Sequence, residues 1–364
     1  MRITSVRTVC FAQPMIPIHR STFPGELELA LVVVGCDAGV EGVSLARAHG
    51  GQPGATIAEP VRISLAPLAI GMDPREPEAV WARTTALEPA GYVSAFAIAA
   101  LDVAVWDLAA KLAGTSVAAL CGGRRTAMRA YASSTHLPTV DAYVADLRRA
   151  CELGYAGYKA HPFCDAERDV VLARALRDAA GPSMRLMLDA AKRYTRAEAL
   201  RVGEVLQALG FHWYEEPLPQ HDWAGYAALR RALQIRVIGG ETLPGLAPAI
   251  ANALDAGAWD AVLCDVYWKG GVTGMLRTLE VCAARGVPVA SHHGASALMN
   301  LANLHVLCGA TDVDMIEVLV PEAPYEYGLR AYPRVAADGL VHLPAAPGLG
   351  GELDWAYVEA NRRG

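Results

Sequence analysis

MRLMLDA (184–190), FHWYEEP (211–217) and IRVIGGET (235–242) are the three stretches that decide the fold of this chain. Each is a short apolar run that closes on a carboxylate, and the carboxylates lie 26 residues apart: Asp189, Glu215 and Glu241. This interval accommodates one strand, one helix and two loops. A strand followed by a helical stretch is a βα unit, and consecutive βα units build a parallel sheet.

The same interval continues on both sides of these stretches. Ionisable residues close further apolar runs at steps of 24 to 30 residues: Lys159 in AGYKAH, Asp265 in DAVLCD, His292 in VPVASHH and Glu317 in DVDMIE. About eight such units favour an α/β fold of the (β/α)8 TIM-barrel type, whose active site forms at the C-terminal ends of the strands. Alternatively, each acid is a surface charge in a first helical turn. All seven ionisable residues recur at a similar interval, and this regularity favours one shared site over separate surface charges.

The remainder of the 364-residue chain does not follow this interval. Alternating and apolar runs before residue 50 indicate a small antiparallel sheet, and helical patterns follow at about 76–87 and 92–112. We therefore expect an α+β N-terminal capping domain over residues 1–124 and a barrel over residues 125–319. The segment 320–364 is expected to pack back on the N-terminal domain.

Composition and charge narrow the class of protein. A hydrophobic fraction of 53% supports a large core, and a net charge of −6 without a basic stripe argues against a nucleic-acid partner. The first 14 residues lack the apolar region of a signal peptide, and no apolar run reaches the length of a membrane span. Eight cysteines without a CxxC pair predict reduced thiols in a cytoplasmic protein.

The three equally spaced carboxylates predict a metal site. Asp189, Glu215 and Glu241 come from adjacent strands, and three carboxylates cannot stay ionised side by side without a cation. Oxygen ligands favour Mg²⁺ over zinc. Alternation along the strand places Glu215 at the barrel mouth and turns Glu216 to the other face as a supporting or capping group.

Two further pairs flank these carboxylates. Lys159 and His161 are two residues apart and share a face at the end of the second strand. Asp265 and His292 end the sixth and seventh strands, close enough for the carboxylate to fix the imidazole tautomer and raise its basicity. Alternation assigns the neighbouring His293 to the opposite face.

Two loops of the N-terminal domain, 14–26 and 45–56, are rich in Gly, Pro and His and could cover the barrel mouth. Their basic residues are either solvated or in contact with substrate: His19, Arg20, Arg47 and His49.

The chain resembles the enolase superfamily, and within it the mandelate racemase/muconate lactonizing enzyme subgroup. The resemblance rests on these motifs: AALDVAVWDLAAKLAG, WYEEPLPQHDWAGY, IGGET, CDVYWKGGVTG, SHH and IE. It implies that Asp189, Glu215 and Glu241 bind Mg²⁺, that His292 and Asp265 form a dyad, and that Glu317 is the eighth-strand acid. It also implies abstraction of the proton next to a substrate carboxylate, with the enediolate stabilised by the metal. We expect Lys159 to stabilise that carboxylate and the enediolate.

The sequence departs from the family pattern at two positions. The usual Lys-x-Lys of the second strand is Lys159-Ala160-His161, and the residue two beyond the third-strand ligand is Ala191 where Asn is common. A histidine needs little adjustment to act as a base near neutral pH, whereas a lysine must lose several pKa units. His161 is therefore either the base on that face or a group that only binds a hydroxyl.

Base-capable residues on both faces are compatible with two kinds of reaction. Dehydration of a sugar acid to a 2-keto-3-deoxy acid is the expected activity, and racemisation, epimerisation or cycloisomerisation of a hydroxy acid is the alternative. An alternative from a different functional class is a barrel that binds a ligand or partner without catalysing a reaction. The resemblance also implies a homo-oligomer with an even number of subunits.

Overall fold

A computed structural model describes residues 1–19, 23, 25–89, 91–294, 296–310 and 312–363. The N-terminal domain is an antiparallel sheet covered by helices. Its three strands pair in sequence order: β1 (Ile3–Pro14), β2 (Glu26–Cys36) and β3 (Glu41–Arg47). A turn of π-helix joins the first two helices of the domain, which are followed by three more: α1 (Ala55–Pro60), α2 (Ala66–Ala69), α3 (Pro77–Thr85), α4 (Ala95–Leu112) and α5 (Val117–Leu120).

Helix α4 is the buried centre of this domain. It begins after Ser94, whose Oγ accepts a hydrogen bond from Ala97 N–H at 3.3 Å, so it starts three residues later than the sequence predicts. It is followed by Gly114 at φ +63°, a conformation that glycine adopts without strain. Asp102 within the helix is buried and accepts hydrogen bonds from the N–H and hydroxyl of Thr273 at 2.9 and 2.8 Å. These bonds fasten the helix to the barrel.

The predicted barrel fold is confirmed. Its eight strands are β4 (Ala127–Ser133), β5 (Gly157–Ala160), β6 (Arg185–Asp189), β7 (Trp213–Glu215), β8 (Arg236–Gly239), β9 (Ala261–Cys264), β10 (Val289–Ser291) and β11 (Met315–Leu319). Helices on the outside connect them: α6 (Val140–Glu152), α7 (Ala166–Ala180), α8 (Arg196–Ala208), α9 (Trp223–Ala232), α10 (Leu246–Asp255), α11 (Gly271–Ala283) and α12 (Ala297–Leu307).

All neighbouring barrel strands that share a hydrogen-bonded ladder run parallel. In the described part of the chain the ladder passes from β10 through β4 to β11, so the barrel is nearly closed. Across the remaining gap, Glu317 N–H donates to Ser291 Oγ at 3.2 Å. The strand register sets Asp189 beside Glu215. The functional residues therefore gather at one end of the barrel.

The segment after the barrel contacts both halves of the protein. It contains β12 (Leu340–His342), α13 (Trp355–Ala360) and β13 (Arg362–Arg363). β12 pairs with the barrel strand β4, and β13 pairs with β1 of the N-terminal sheet. Among the described residues, no helix combines the length and the apolar character needed to cross a lipid bilayer. All eight cysteines are free thiols; Cys151 is exposed and the others are buried or half-buried.

Candidate active site

A cavity of about 310 Å³ opens at the C-terminal end of the barrel strands. Its wall combines barrel residues with residues of the N-terminal domain. The ionisable groups that line it are His19, Arg47, His49, His136, His161, Asp189, Lys192, Arg193, Glu241, His292, His293 and Glu317.

The three equally spaced carboxylates meet at the floor of this cavity. One oxygen each from Asp189, Glu215 and Glu241 lies within 4.8 Å of the others. Oxygens bound to one Mg²⁺ lie up to about 4.2 Å apart, so the cluster fits a divalent cation with little movement. Trp213 Nε1–H donates to Glu215 Oε2 at 3.0 Å and holds this buried carboxylate in place.

Lys159 lies beneath the cavity and does not line it. Its Nζ is 2.6 Å from Glu215 Oε1, 2.8 Å from Glu317 Oε1 and 3.8 Å from Asp189 Oδ2. Its side chain is only 1% exposed. The ammonium therefore compensates buried carboxylates, and the expected contact with a substrate carboxylate stays a prediction.

Two imidazoles flank the three carboxylates at opposite ends of the cluster. His161 Nε2 lies 3.0 Å from Asp189 Oδ2, and its Nδ1 lies 2.7 Å from the carbonyl oxygen of Ser134. His292 Nε2 lies 3.2 Å from Glu241 Oε2, and its Nδ1 lies 2.6 Å from Asp265 Oδ2. In both rings Nδ1 donates to an oxygen, which leaves Nε2 facing the carboxylate cluster.

The electrostatic surroundings of the histidines differ. Burial lowers the pKa of His292, but the Glu241 and Asp265 carboxylates outweigh burial and raise this pKa to about 9. Burial, reinforced by the Arg47 guanidinium, lowers the pKa of His19 to about 4 and that of His49 to about 2. The two N-terminal-domain histidines are therefore neutral near pH 7.

The N-terminal domain reaches the cavity through both predicted loops. His19 follows β1 and His49 follows β3, and both line the cavity. The His49 ring packs against Phe96 and Trp268, with centroid distances of 5.3 and 5.0 Å. Arg20, also predicted to contact substrate, lies outside the described residues.

His293 does not follow the prediction from alternation. It lines the cavity beside His292, and its backbone N–H donates to Glu317 Oε2 at 2.7 Å. Strand β10 ends at Ser291, so the two-residue repeat of a strand no longer fixes where the following side chains lie.

Glu216 supports the next strand. Its backbone has φ +37°, its Oε1 accepts from Gly240 N–H at 3.0 Å, and its side chain is buried. Burial raises its pKa to about 8 and the Glu241 carboxylate adds to the rise, although the Lys192 ammonium opposes both. The predicted role of Glu216 as a supporting or capping group stays a prediction.

Lys192 is a cavity residue that the sequence pattern did not single out. Its Nζ lies 3.0 Å from Glu241 Oε1 and also contacts Glu216 Oε2. The sequence did contain a signal for a lysine at this site, because the chain has only four lysines and this one comes three residues after Asp189. Lys269 was missed as well: its buried Nζ donates to the carbonyl oxygen of Glu241 at 2.8 Å.

Comparison with known proteins agrees with this geometry. Residues 142–357 match the family model described as enolase C-terminal domain-like, and residues 3–122 match the mandelate racemase/muconate lactonizing enzyme N-terminal domain. The chain belongs to the enolase superfamily. The resemblance inferred from the motifs is thus confirmed.

Individual relatives and solved structures are similar to this chain over much of its length. D-galactarolactone cycloisomerase from Agrobacterium fabrum is 31% identical over 78% of this chain and 79% of that enzyme. L-talarate/galactarate dehydratase from Salmonella typhimurium is 30% identical over 58% of this chain and 54% of that enzyme. The structure of D-glucarate dehydratase from Agrobacterium tumefaciens, complexed with magnesium, superimposes with a TM-score of 0.90 at 29% identity and covers 100% of both chains.

Proposed function

We propose that this protein is a Mg²⁺-dependent sugar-acid dehydratase. It removes the proton next to the substrate carboxylate and eliminates the β-hydroxyl, so that the product tautomerises to a 2-keto-3-deoxy acid. The single observation that carries the proposal is the pair of imidazoles, His161 and His292, which flank a three-carboxylate cluster with Nε2 directed at it.

The carboxylate cluster supplies the site for the ion. Asp189, Glu215 and Glu241 are the ligands, and three oxygens from carboxylates favour Mg²⁺. When bound, the ion contributes positive charge that stabilises the enediolate dianion. The relationship to a magnesium-complexed D-glucarate dehydratase supports the choice of ion.

Each of the two imidazoles carries out one proton transfer. His161 is the base for the α-proton: its Nδ1 is engaged by the Ser134 carbonyl, so Nε2 is the atom that takes the proton. His292 is the acid that protonates the departing β-hydroxyl. Asp265 holds its ring and stabilises the charged form, as the 2.6 Å contact allows. Glu317, ion-paired to Lys159, lines the cavity beside them.

The polar wall suits a polyhydroxy acid. His19 and His49 from the N-terminal domain line the same cavity as the carboxylate cluster and are neutral near pH 7. Neutral imidazoles donate and accept hydrogen bonds, as hydroxyl groups require. A homo-oligomer and a cytoplasmic location stay predictions.

Cycloisomerisation is the second candidate, because D-galactarolactone cycloisomerase is similar over 78% of this chain. Both reactions begin with the same proton abstraction and differ in the group that leaves. Incubation of aldonic acids, aldaric acids and their lactones with the enzyme and Mg²⁺ in deuterated water, followed by NMR, separates them. A 2-keto-3-deoxy product from an open-chain acid supports dehydration. Inversion of the α-carbon with an intact β-hydroxyl would replace dehydration by epimerisation, and turnover of lactones alone would replace it by cycloisomerisation.

A further inference from the structure

Lys192 is a charged residue of the cavity to which the proposed mechanism, with its metal ligands and two imidazoles, assigns no role. Its ammonium lies 3.0 Å from Glu241 Oε1, contacts Glu216 Oε2 and is part of the cavity lining. Its side chain is 26% exposed. The ammonium therefore faces a metal-ligand carboxylate on one side and the substrate space on the other.

The backbone fixes this position. Ala191 and Lys192 have φ of +48° and +66°, a conformation that residues with a side chain rarely adopt twice in succession. The Ala191 N–H donates to Asp189 Oδ1 at 2.9 Å, and the Lys192 N–H donates to the Glu216 carbonyl oxygen at 2.7 Å. The turn that presents Lys192 is thus held by a metal ligand and by the supporting Glu216.

The position has an electrostatic consequence. An ammonium in contact with Glu241 repels a divalent cation bound to the same carboxylate, and the repulsion is strong where water is largely excluded. A substrate carboxylate that enters the cavity offers the ammonium a second anionic partner. The cost of holding both cations then falls, and the ion and the acid bind cooperatively.

We propose that Lys192 is a substrate-binding residue that links acid binding to metal binding. Its ammonium opposes the divalent cation at Glu241 and contacts the carboxylate of the incoming acid. This inference rests on the proposed function, since it requires an ion on the carboxylate cluster and an acid in the cavity.

A purely structural role for Lys192 has the opposite signature. If the lysine only neutralises Glu216, its removal leaves two neighbouring carboxylates to move apart, displaces Glu241 and weakens metal binding. If the lysine opposes the cation, its removal strengthens metal binding. The sign of the change in metal affinity therefore separates the two roles.

The test measures Mn²⁺ binding by electron paramagnetic resonance of the free ion, with and without tartronate, a small acid that offers carboxylate and hydroxyl oxygens. Without tartronate, Lys192→Met and Lys192→Gln should each bind Mn²⁺ about tenfold more tightly than the wild type. Arg193→Met, which removes the next cation along the cavity wall, should stay within about twofold. Tartronate should tighten Mn²⁺ binding in the wild type and have a much smaller effect in both Lys192 variants.

Unchanged or weaker Mn²⁺ binding in both Lys192 variants would overturn the inference. Equal tightening in Arg193→Met would overturn it too, because the effect would then be one of general charge. A wild type that binds no Mn²⁺ would overturn the proposed function together with this inference. A wild type that binds Mn²⁺, with no gain in the variants, removes only the role of Lys192.

Discussion

His305 should make the stability of this protein depend on pH between about 6.5 and 4. The residue is buried in α12; its Nδ1 accepts from Ala118 N–H at 3.2 Å, and its Nε2 donates to the Leu349 carbonyl oxygen at 3.0 Å. A backbone N–H can only donate and a carbonyl can only accept, so the ring must be neutral with its proton on Nε2. Burial lowers its pKa to about 4, although the bond to Leu349 opposes the shift.

The sign and the magnitude follow from this pKa. The folded pKa lies below the unfolded value of about 6.5, so the unfolded chain binds the proton more readily. The stabilisation by neutral His305 is complete above about pH 6.5 and is lost progressively as the pH falls towards 4. The full effect is at most about 3 kcal/mol, of which about 2 kcal/mol is lost between pH 7 and pH 5.

Replacement by glutamine isolates this contribution. His305→Gln retains one acceptor and one donor but does not titrate, so its free energy of unfolding should fall less than that of the wild type between pH 7 and pH 5. The expected difference is about 2 kcal/mol. Urea unfolding followed by tryptophan fluorescence, in the presence of a chelator, measures it, and His342→Gln serves as a control at an exposed histidine. Equal losses in wild type and His305→Gln would refute the reasoning.

Five substitutions test the proposed site. Glu215→Gln should lower metal-dependent turnover by more than about a hundredfold, whereas Glu216→Gln should cost at most about that factor, because one is a ligand and the other supports ligands; a larger loss in Glu216→Gln would reverse the facing assignment. Lys159→Met should abolish turnover, because Glu215 and Glu317 would lose the ammonium that neutralises them. A near-normal kcat would show that this ammonium is not needed for turnover. His161→Asn should lose exchange of the α-proton in deuterated water, and wild-type exchange would remove this imidazole from the mechanism. His292→Asn should retain exchange but form no 2-keto product, and product formation at the wild-type rate would exclude it as the acid.

The sequence was sufficient for the fold because the barrel repeats. The βα units have similar lengths, so ionisable residues at strand ends recur at a nearly constant interval, and Asp189 and Glu215 do lie at the last positions of β6 and β7. The contact between Asp265 and His292 could be anticipated because adjacent parallel strands bring their ends together.

The directions of side chains beyond the strand ends could not be predicted from the repeat of the βα units. Glu241 and His292 follow their strands, where local backbone conformation and not alternation decides direction; this is why His293 was placed on the wrong side. Lys192 reaches the cavity through a left-handed turn that no apolar pattern encodes. The depth of Lys159 depends on a contact with Glu317, which is distant in sequence.

The pairing of β13 with β1 has a consequence for biosynthesis. Cys10 and Phe11 lie beside Arg363 and Arg362, so this part of the outer edge of β1 is covered by residues that leave the ribosome much later. Until then, β1 presents unpaired backbone groups, which are a template for association with other chains. The entire barrel is translated while this edge is open. A nascent N-terminal domain that waits for its last strand is therefore the stage at which self-association competes with folding.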